Sequence, residues 1–269
     1  MIMRLTVIFS LYFKNDPIFL KESLDSVLNQ TRPADEIIIV ENGPLTDEIY
    51  SVVENFTEKA NNVRIIKFKE NHVFAHALNA AIRECNSDFI ARMDTDDISL
   101  NERFEKQLVF FKNNPEIDCL GTWAYEIKSN GELYYEKKMP VSHQECYELF
   151  MKRDCMIHPT VMFRKSYFEK AGLYPEDTYF GEDTVMWAQG FANGCRFANL
   201  PEFVFKFRLD EDFFNRRRGW KLAKSILQLR WRVNRMLHYP FVAYMYAFGY
   251  AFAKMMPKFI LNCLYKKVR

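Results

Sequence analysis

Four short apolar runs occupy the first hundred residues: Arg4–Leu11 (RLTVIFSL), Glu36–Val40 (EIIIV), Val63–Phe68 (VRIIKF) and Asp88–Met93 (DFIARM). Each is followed by a stretch long enough for a helix. Strands alternating with helices of that length predict a parallel sheet with helices on both faces. EIIIV, almost continuously apolar, reads as a strand covered on both sides. The helices carry their own start signals. Asp16-Pro17 offers an N-cap followed by proline at the first helical position, ahead of the apolar stripe Ile18, Leu20, Leu24, Val27 and Leu28. Thr46 caps a second helix whose opening Asp47 and Glu48 suit the positive end of its dipole. Ala75–Cys85 reads as a third, Ala-rich helix. Ser99 with Glu102 predicts a capping box for a fourth, carrying Phe104, Leu108 and Phe111.

Ligands of such sheets sit at the carboxyl ends of the strands. That rule selects Ser10–Phe13, Glu41–Pro44 and Asp94–Asp97. Asp94-Thr95-Asp96-Asp97 follows the fourth strand directly, after Arg92. Alternate residues of an extended chain point the same way, so Asp94 and Asp96 can converge on one point. Hard oxygen donors so arranged suit Mg²⁺ or Mn²⁺ shared with substrate phosphates. The same aspartates could instead only cap and solvate the start of the next helix.

Glu182-Asp183 follows Tyr179-Phe180-Gly181 and opens an apolar helix with Val185, Met186 and Trp187. These carboxylates are either dipole partners of the helix or include a general base, a role contributing roughly 10²–10⁴ in rate. Tyr12, with Glu41-Asn42, could hold a nucleobase by stacking and edge hydrogen bonds, although a tyrosine there also suits the core. His158, before Pro159 and an apolar VMF run, reads first as a satisfied structural histidine.

In chain order, Ser10-Leu11-Tyr12, Ser26–Thr31, EIIIVENGPLT (36–46), Ala77-Leu78-Asn79, RMDTDDIS (92–99), Arg103-Phe104 with Gln107, HPTVMFRKS (158–166), Gly181-Glu182-Asp183, Trp187, NLPE (199–202) and RRRG (216–219) resemble the family 2 glycosyltransferases of the GT-A fold. The resemblance covers roughly residues 4–220 and is strongest to bacterial enzymes of capsule, exopolysaccharide and O-antigen synthesis. It implies a Rossmann-like, mostly parallel sheet and an inverting, metal-dependent transfer from a nucleotide sugar, with a UDP-linked donor expected. The acceptor implied is a hydroxyl of a saccharide on a polyprenyl diphosphate. Position by position, it implies a DxD pair at Asp94 and Asp96, with Asp96 the direct ligand of Mn²⁺ or Mg²⁺, Asp94 nearer the donor sugar or ribose, and Asp97 in support. Ser10, Thr95, Arg92 and Asn79 would line the donor pocket, Tyr12 and Glu41-Asn42 would meet the base, and Asp183 beside Glu182 would be the catalytic base. His158 and Trp187 would lie on the acceptor side.

The sequence departs from the family pattern twice. Asn42 stands where an aspartate is usual, and Asn71-His72-Val73-Phe74-Ala75-His76 replaces the usual glycines with bulkier residues. These departures motivate one rival, an inactive module that binds nucleotide sugar without turnover; a second, an aspartate-dependent phosphoryl-transfer enzyme, is motivated by the Asp-rich cluster itself. Against the second, a phosphatase-type nucleophile would be expected after the first strand, not the fourth.

The charge is unevenly spread. Residues 213–269 hold 13 of the 37 Lys and Arg and no Asp or Glu, so the rest of the 269-residue chain carries 24 basic against 35 acidic residues. An acidic body, residues 1–210, is therefore expected to comprise a nucleotide-sugar half to about 115 and an acceptor half over 116–210. A basic helical segment follows over 211–269. Within it Tyr239–Ala253 is apolar and aromatic, with four tyrosines, but shorter than the roughly 20 residues that span a bilayer. Lys254, Lys258, Lys266, Lys267 and Arg269 flank it, and Arg216–Arg218, Lys221, Lys224, Arg230, Arg232 and Arg235 precede it. The combination suits a segment lying on an anionic leaflet; its alternative is a helical pair packed on the catalytic domain. Nucleic acid is not expected as a partner, because the aromatics do not interleave with the charges. The start, Met1-Ile2-Met3-Arg4, leads to no small-residue cleavage site, so no secretory signal is expected. The six scattered cysteines are expected to be reduced thiols. Together these readings predict a protein of the cytoplasm, peripheral on the inner face of the cell membrane.

Overall fold

β1 (Leu5–Leu11) is central because both its faces are apolar: Leu5, Val7, Phe9 and Leu11 point into one core and Ile8 into another. The computed structural model describes residues 3–178, 180–209 and 219–256. Tyr179, Arg216–Arg218, Lys258, Cys263, Lys266, Lys267 and Arg269 lie outside the described residues. After β1 come α1 (Pro17–Leu28), β2 (Glu36–Glu41), α2 (Asp47–Lys59), β3 (Val63–Lys67), α3 (Phe74–Glu84) and β4 (Phe89–Arg92). The expected caps form: the Asp16 carboxylate accepts from the Ile18 and Phe19 amides, and Thr46 from that of Ile49.

The strands run in the order β3-β2-β1-β4, all parallel, with Leu11 opposite Glu41 and Ile8 opposite Arg92. The chain leaves β1 toward β2 on one side and returns through α3 to β4 on the other. The crevice between the carboxyl ends of β1 and β4 is therefore a topological switch point. In EIIIV, Ile37 and Ile39 enter the core under α1, α2 and α4, while Ile38 and Val40 enter the core shared with α3 and α7. That two-sided burial is why the run has no polar alternation.

Beyond β4 the sheet becomes mixed. β5 (Ile98–Ser99), α4 (Arg103–Asn113), β6 (Cys119–Lys128), β7 (Leu133–Lys137), α5 (His143–Phe150), a 3₁₀ turn (His158–Thr160), β8 (Met162–Arg164), α6 (Ser166–Ala171), α7 (Glu182–Ala192) and β9 (Phe197–Leu209) follow. β8 joins β4 antiparallel, β6 joins β8 antiparallel, and β9 runs parallel to β6. β5 closes the order against β9, with Ser99 opposite Phe205. That pairing overturns the expected capping box. Ser99 pairs with Phe205 in the sheet while its amide donates to Ser26 Oγ of α1 at 3.1 Å, and α4 starts at Arg103 with no side-chain cap. Glu102 pairs instead with Lys106 at 2.8 Å, one helical turn on.

α8 (Trp220–Met236) and α9 (Phe241–Ala253) complete the described chain. Val233, Leu237, Tyr239 and Ala243 join the core containing α3 and α7. The Tyr239 hydroxyl donates to the Tyr147 carbonyl at 2.9 Å. The segment is thus packed on the α/β body, yet α9 turns Ala243, Ala247 and Ala251 inward and leaves Phe241, Met245, Phe248 and Phe252 exposed. Among the described residues no helix is long and apolar enough to cross a membrane. Cys85, Cys119, Cys146, Cys155 and Cys195 are buried free thiols.

Candidate functional site

β4 ends at Arg92, and the chain leaves the sheet as Met93-Asp94-Thr95-Asp96-Asp97. Carboxylate oxygens of Asp94, Asp96 and Asp97 all lie within 4.8 Å of one another. Like charges so close demand either protons or a counter-ion. Asp97 is fully buried; its Oδ1 accepts from the Arg208 amide at 2.8 Å, while Oδ2 has no partner among the described residues. Burial, reinforced by Asp96 and Asp94, pushes the Asp97 carboxyl well above the usual range. Three hard oxygen donors with an unsatisfied buried oxygen fit a divalent cation.

The loop is braced from three directions. The Ser23 hydroxyl donates to the Asp94 carbonyl at 2.6 Å. Asn15 donates from Nδ2 to Thr95 Oγ1 at 2.7 Å and accepts the Tyr12 amide on Oδ1 at 2.7 Å, tying the ends of β1 and β4 together. Arg208, on β9, donates from Nε to the Asp96 carbonyl at 2.8 Å, and its Nη2 pairs with Glu22 at 2.5 Å. Sequence reasoning does not find Asn15, Glu22 or Arg208. Arg208 lies more than a hundred residues from the loop it braces, and no local pattern announces it.

Arg92 is 4% exposed, ion-paired through Nη2 with Asp94, and lies over the Phe74 ring at 5.4 Å. Its Nε and Nη1 have no partner among the described residues, a costly arrangement for a buried cation unless a ligand supplies acceptors. α7 opens at Gly181, whose left-handed φ of 79° starts the helix at Glu182. The half-buried Asp183 carboxyl is raised to about 7, first by burial, then by the charges of Asp154 and Glu182, against the Thr184 amide and Arg92. Burial also raises Glu182, which feels both Arg92 and Asp94. Arg92 therefore acts on both acidic groups, and Glu182 feels the charge of Asp94 as well.

At the ends of β1 and β2, Tyr12 is 36% exposed and Ser10 half-buried. Glu41 is buried beside Lys67, 3.3 Å away. Asn42 is used differently from the expectation. Its Nδ2 donates to the His72 carbonyl at 2.9 Å and its Oδ1 accepts the His72 amide at 2.8 Å, so its amide edge is engaged by the 71–76 loop. Gly43 lies so close to that loop that a Cβ would sit 2.8 Å from the Asn71 amide nitrogen. The two departures from the family pattern are thus one device: an amide can pair with both backbone groups of His72, whereas an aspartate could only accept.

Asn79 also moves from its expected place in the donor pocket. It is 1% exposed and grips the 174–176 segment, exchanging hydrogen bonds with the Tyr174 backbone at 2.9 Å and donating to Glu176 at 2.8 Å. Trp187, expected on the acceptor side, is fully buried and stacked on Phe163, because it falls on the inner face of α7. His158 is half-buried, its Nε2 2.8 Å from the Tyr174 hydroxyl; burial, then Arg92, lower its basicity and keep it neutral. This is the satisfied histidine that the sequence first suggests.

Comparison with known proteins bears on this site. The profile of glycosyl transferase family 2 matches residues 7–172. The amylovoran biosynthesis glycosyltransferase AmsE of Erwinia amylovora is 33% identical over 98% of both chains. The UDP-Gal:alpha-D-GlcNAc-diphosphoundecaprenol beta-1,3-galactosyltransferase of Escherichia coli is 29% identical over 98% of this chain and 96% of its own. Among solved structures, the mannosyltransferase PcManGT of Pyrobaculum calidifontis, in complex with GDP-Man and Mn²⁺, superposes with a TM-score of 0.66 at 19% identity, covering 98% of this chain and 80% of that one. TarS 1-349 of S. aureus with UDP-GlcNAc superposes at 0.63 and 20% identity, covering 87% and 70%; this chain spans 44% of the longer TarS chain. At these identities the likeness establishes the fold, the GT-A arrangement.

Proposed function

The chain belongs to glycosyl transferase family 2, and from that premise we propose that it transfers a sugar, with inversion, from a UDP-linked donor to a hydroxyl of a lipid-linked saccharide in bacterial surface polysaccharide synthesis. The observation that carries the reading is that buried Arg92 acts on both acidic groups, ion-paired with Asp94 of a convergent triplet and lowering the proton affinity of a carboxyl raised to about 7. A base with that affinity is half-deprotonated near neutral pH and retains driving force to take a hydroxyl proton. Asp183 would accept the acceptor's proton as the hydroxyl oxygen attacks the anomeric carbon, in a single displacement that expels the nucleoside diphosphate on the opposite face. Arg92 would give its two unpartnered N–H groups to donor oxygens. Tyr12 would stack the base, Glu41 would lie at its edge, and Asn42 would shape the floor beneath it by holding His72. Asp96 and Asp94, backed by Asp97, would hold Mn²⁺ or Mg²⁺, which supplies charge neutralisation to the leaving diphosphate. The name of the Escherichia coli relative supports a uridine nucleotide and a diphosphoundecaprenol-linked acceptor.

The acceptor chemistry fits the outer face of α9. Globular helices bury large apolar residues and expose small or polar ones; α9 does the reverse, with Phe241 79%, Phe252 61% and Met245 61% exposed over an inward alanine stripe. Lys224 and Arg235 are exposed on α8, where Arg232 pairs with Asp177 at 3.0 Å, and Lys152 lies over the Tyr246 ring at 5.4 Å. An aromatic face rimmed by cations matches the interface of an anionic bilayer, where each basic residue contributes about 1 kcal/mol. The deciding experiment is mass spectrometry of products formed from a panel of UDP- and GDP-sugars with a polyprenyl-diphosphate saccharide, Mn²⁺ and anionic vesicles. Transfer from a UDP-sugar that is lost in Asp183→Asn supports the reading. Turnover of that variant near the wild-type rate would remove Asp183 as base.

A further inference from the structure

The start of α7 is held by α8, the helix that carries the membrane-facing α9. Arg230 of α8 is 3% exposed, and its guanidinium donates to the Phe150 carbonyl at 2.9 Å and to Asp154 Oδ1 at 2.8 Å. The same Asp154 oxygen accepts the Thr184 hydroxyl at 2.9 Å. Thr184, buried, donates its amide to Asp183 Oδ1 at 2.8 Å. One residue before Arg230, the Leu229 side chain occupies the space that a Cβ at Gly181 would need. α8 thus touches both the residue that starts α7 and the carboxylate that anchors its first turn.

We propose that Arg230, acting through Asp154 and Thr184, positions Asp183, so that the basic C-terminal helix pair is a working part of the active site as well as an attachment to lipid. The inference rests on Asp183 being the base. Asp154 is a positioning residue: it holds Thr184 by the hydroxyl, which fixes the amide that grips Asp183, and its charge stands beside the Asp183 carboxyl. Arg230 neutralises that charge and fixes its place. Of the charged and titratable groups around Asp183, Glu182 and Asp154 raise its proton affinity, Arg92 lowers it, and the Tyr174 hydroxyl faces both members of the Glu182-Asp183 pair. Removing one partner of the Arg230–Asp154 pair therefore shifts Asp183 in the opposite direction from removing the other, which a merely structural role would not produce.

The test is a direct titration of Asp183 in the full chain, labelled with ¹³C at the aspartate carboxyls and followed by NMR in the absence of metal, its resonance assigned by its disappearance in Asp183→Asn. The substitution Asp154→Asn keeps an acceptor oxygen for Thr184 and Arg230 but removes the charge, so it is expected to lower the Asp183 midpoint by about one pH unit. Arg230→Met leaves the Asp154 charge uncompensated and is expected to raise it. The same two variants are assayed for release of UDP from the UDP-sugar that the wild type consumes, expecting the acid limb of turnover to move in the same two directions. Circular dichroism identifies a variant that has not folded, in which case Asp154→Asn alone decides. Midpoints unmoved in folded variants overturn the relay while leaving Asp183 as base; shifted midpoints with undiminished turnover in Asp183→Asn overturn the base and, with it, the proposal.

Discussion

Replacing Asn42 by aspartate would restore the residue usual in the family, yet the structure expects it to weaken this protein. The change removes the Nδ2 donor that reaches the His72 carbonyl at 2.9 Å and leaves the Oδ1 that accepts the His72 amide at 2.8 Å. A lost hydrogen bond contributes about 1 kcal/mol, and a carbonyl left facing a carboxylate at a site 4% exposed adds about 1–3 kcal/mol, for about 2–4 kcal/mol in total. The aspartate can escape part of this by keeping its proton and donating from the hydroxyl. Its folded-state affinity for the proton then lies above the unfolded value, so the stability it retains is present at acid pH and lost as pH rises through the folded value. Urea unfolding of wild type and Asn42→Asp at pH 5 and pH 8 reads this directly. The gap between them should be wider at pH 8, and UDP binding by calorimetry should weaken as the 71–76 loop loosens. A gap below about 0.5 kcal/mol at pH 8, within the range of an ordinary surface change, would refute the claim that the two departures are one device.

Three further outcomes follow from the same geometry. Asp97, Glu182 and Asp183 all hold protons more tightly folded than unfolded, Asp183 at about 7, so their contribution to stability is full at acid pH and falls as pH rises from about 4 through 7. The difference in urea midpoint between wild type and Asp97→Asn should therefore narrow or reverse toward pH 8, and a difference constant with pH would contradict it. Gly181→Ala should cost about 1–3 kcal/mol in urea unfolding, from a left-handed backbone and the collision with Leu229, and a neutral result would mean that α8 does not bear on that turn. Changing the exposed Phe248 and Phe252 together to serine should lower sedimentation with anionic vesicles about tenfold or more while leaving the thermal midpoint unchanged; undiminished binding would assign the face to another partner.

The parallel half of the sheet is legible in the sequence because its determinants are local. EIIIV has no polar alternation, Asp16-Pro17 and Thr46 cap with their own side chains, and Asp94–Asp97 begins just beyond a strand whose end the pattern locates. The capping box at Ser99 fails for the opposite reason. Its two residues match the motif, but the chain there is claimed by β9, more than a hundred residues away, and a sheet bond outweighs a helix cap worth about 1 kcal/mol. Asn42 and Asn79 depart from expectation in the same sense. Their residue type and place near the strand ends can be read locally, but the partner that consumes each amide, the His72 backbone or the 174–176 segment, is set by tertiary folding.

The C-terminal pair shows where composition stops being informative. An apolar, aromatic, basic segment can lie on a bilayer or pack on a domain, and sequence alone presents the two as alternatives. The structure shows the packing, and it leaves the outer face of α9 free for the proposed docking. The buried stripe of α8, including Arg230 and Leu229, is spent on α7, while the alanine stripe of α9 lets it lie close to α8 and turn its phenylalanines outward. If α9 docks on lipid as proposed, the helix next to it is the one that contacts the first turn of α7 through Arg230, Asp154 and Thr184. A saccharide on a membrane-bound diphosphate can approach only from the bilayer. Under the proposed function, coupling Asp183 to a docked helix would bring proton acceptance into register where acceptor is present, without a separate moving lid.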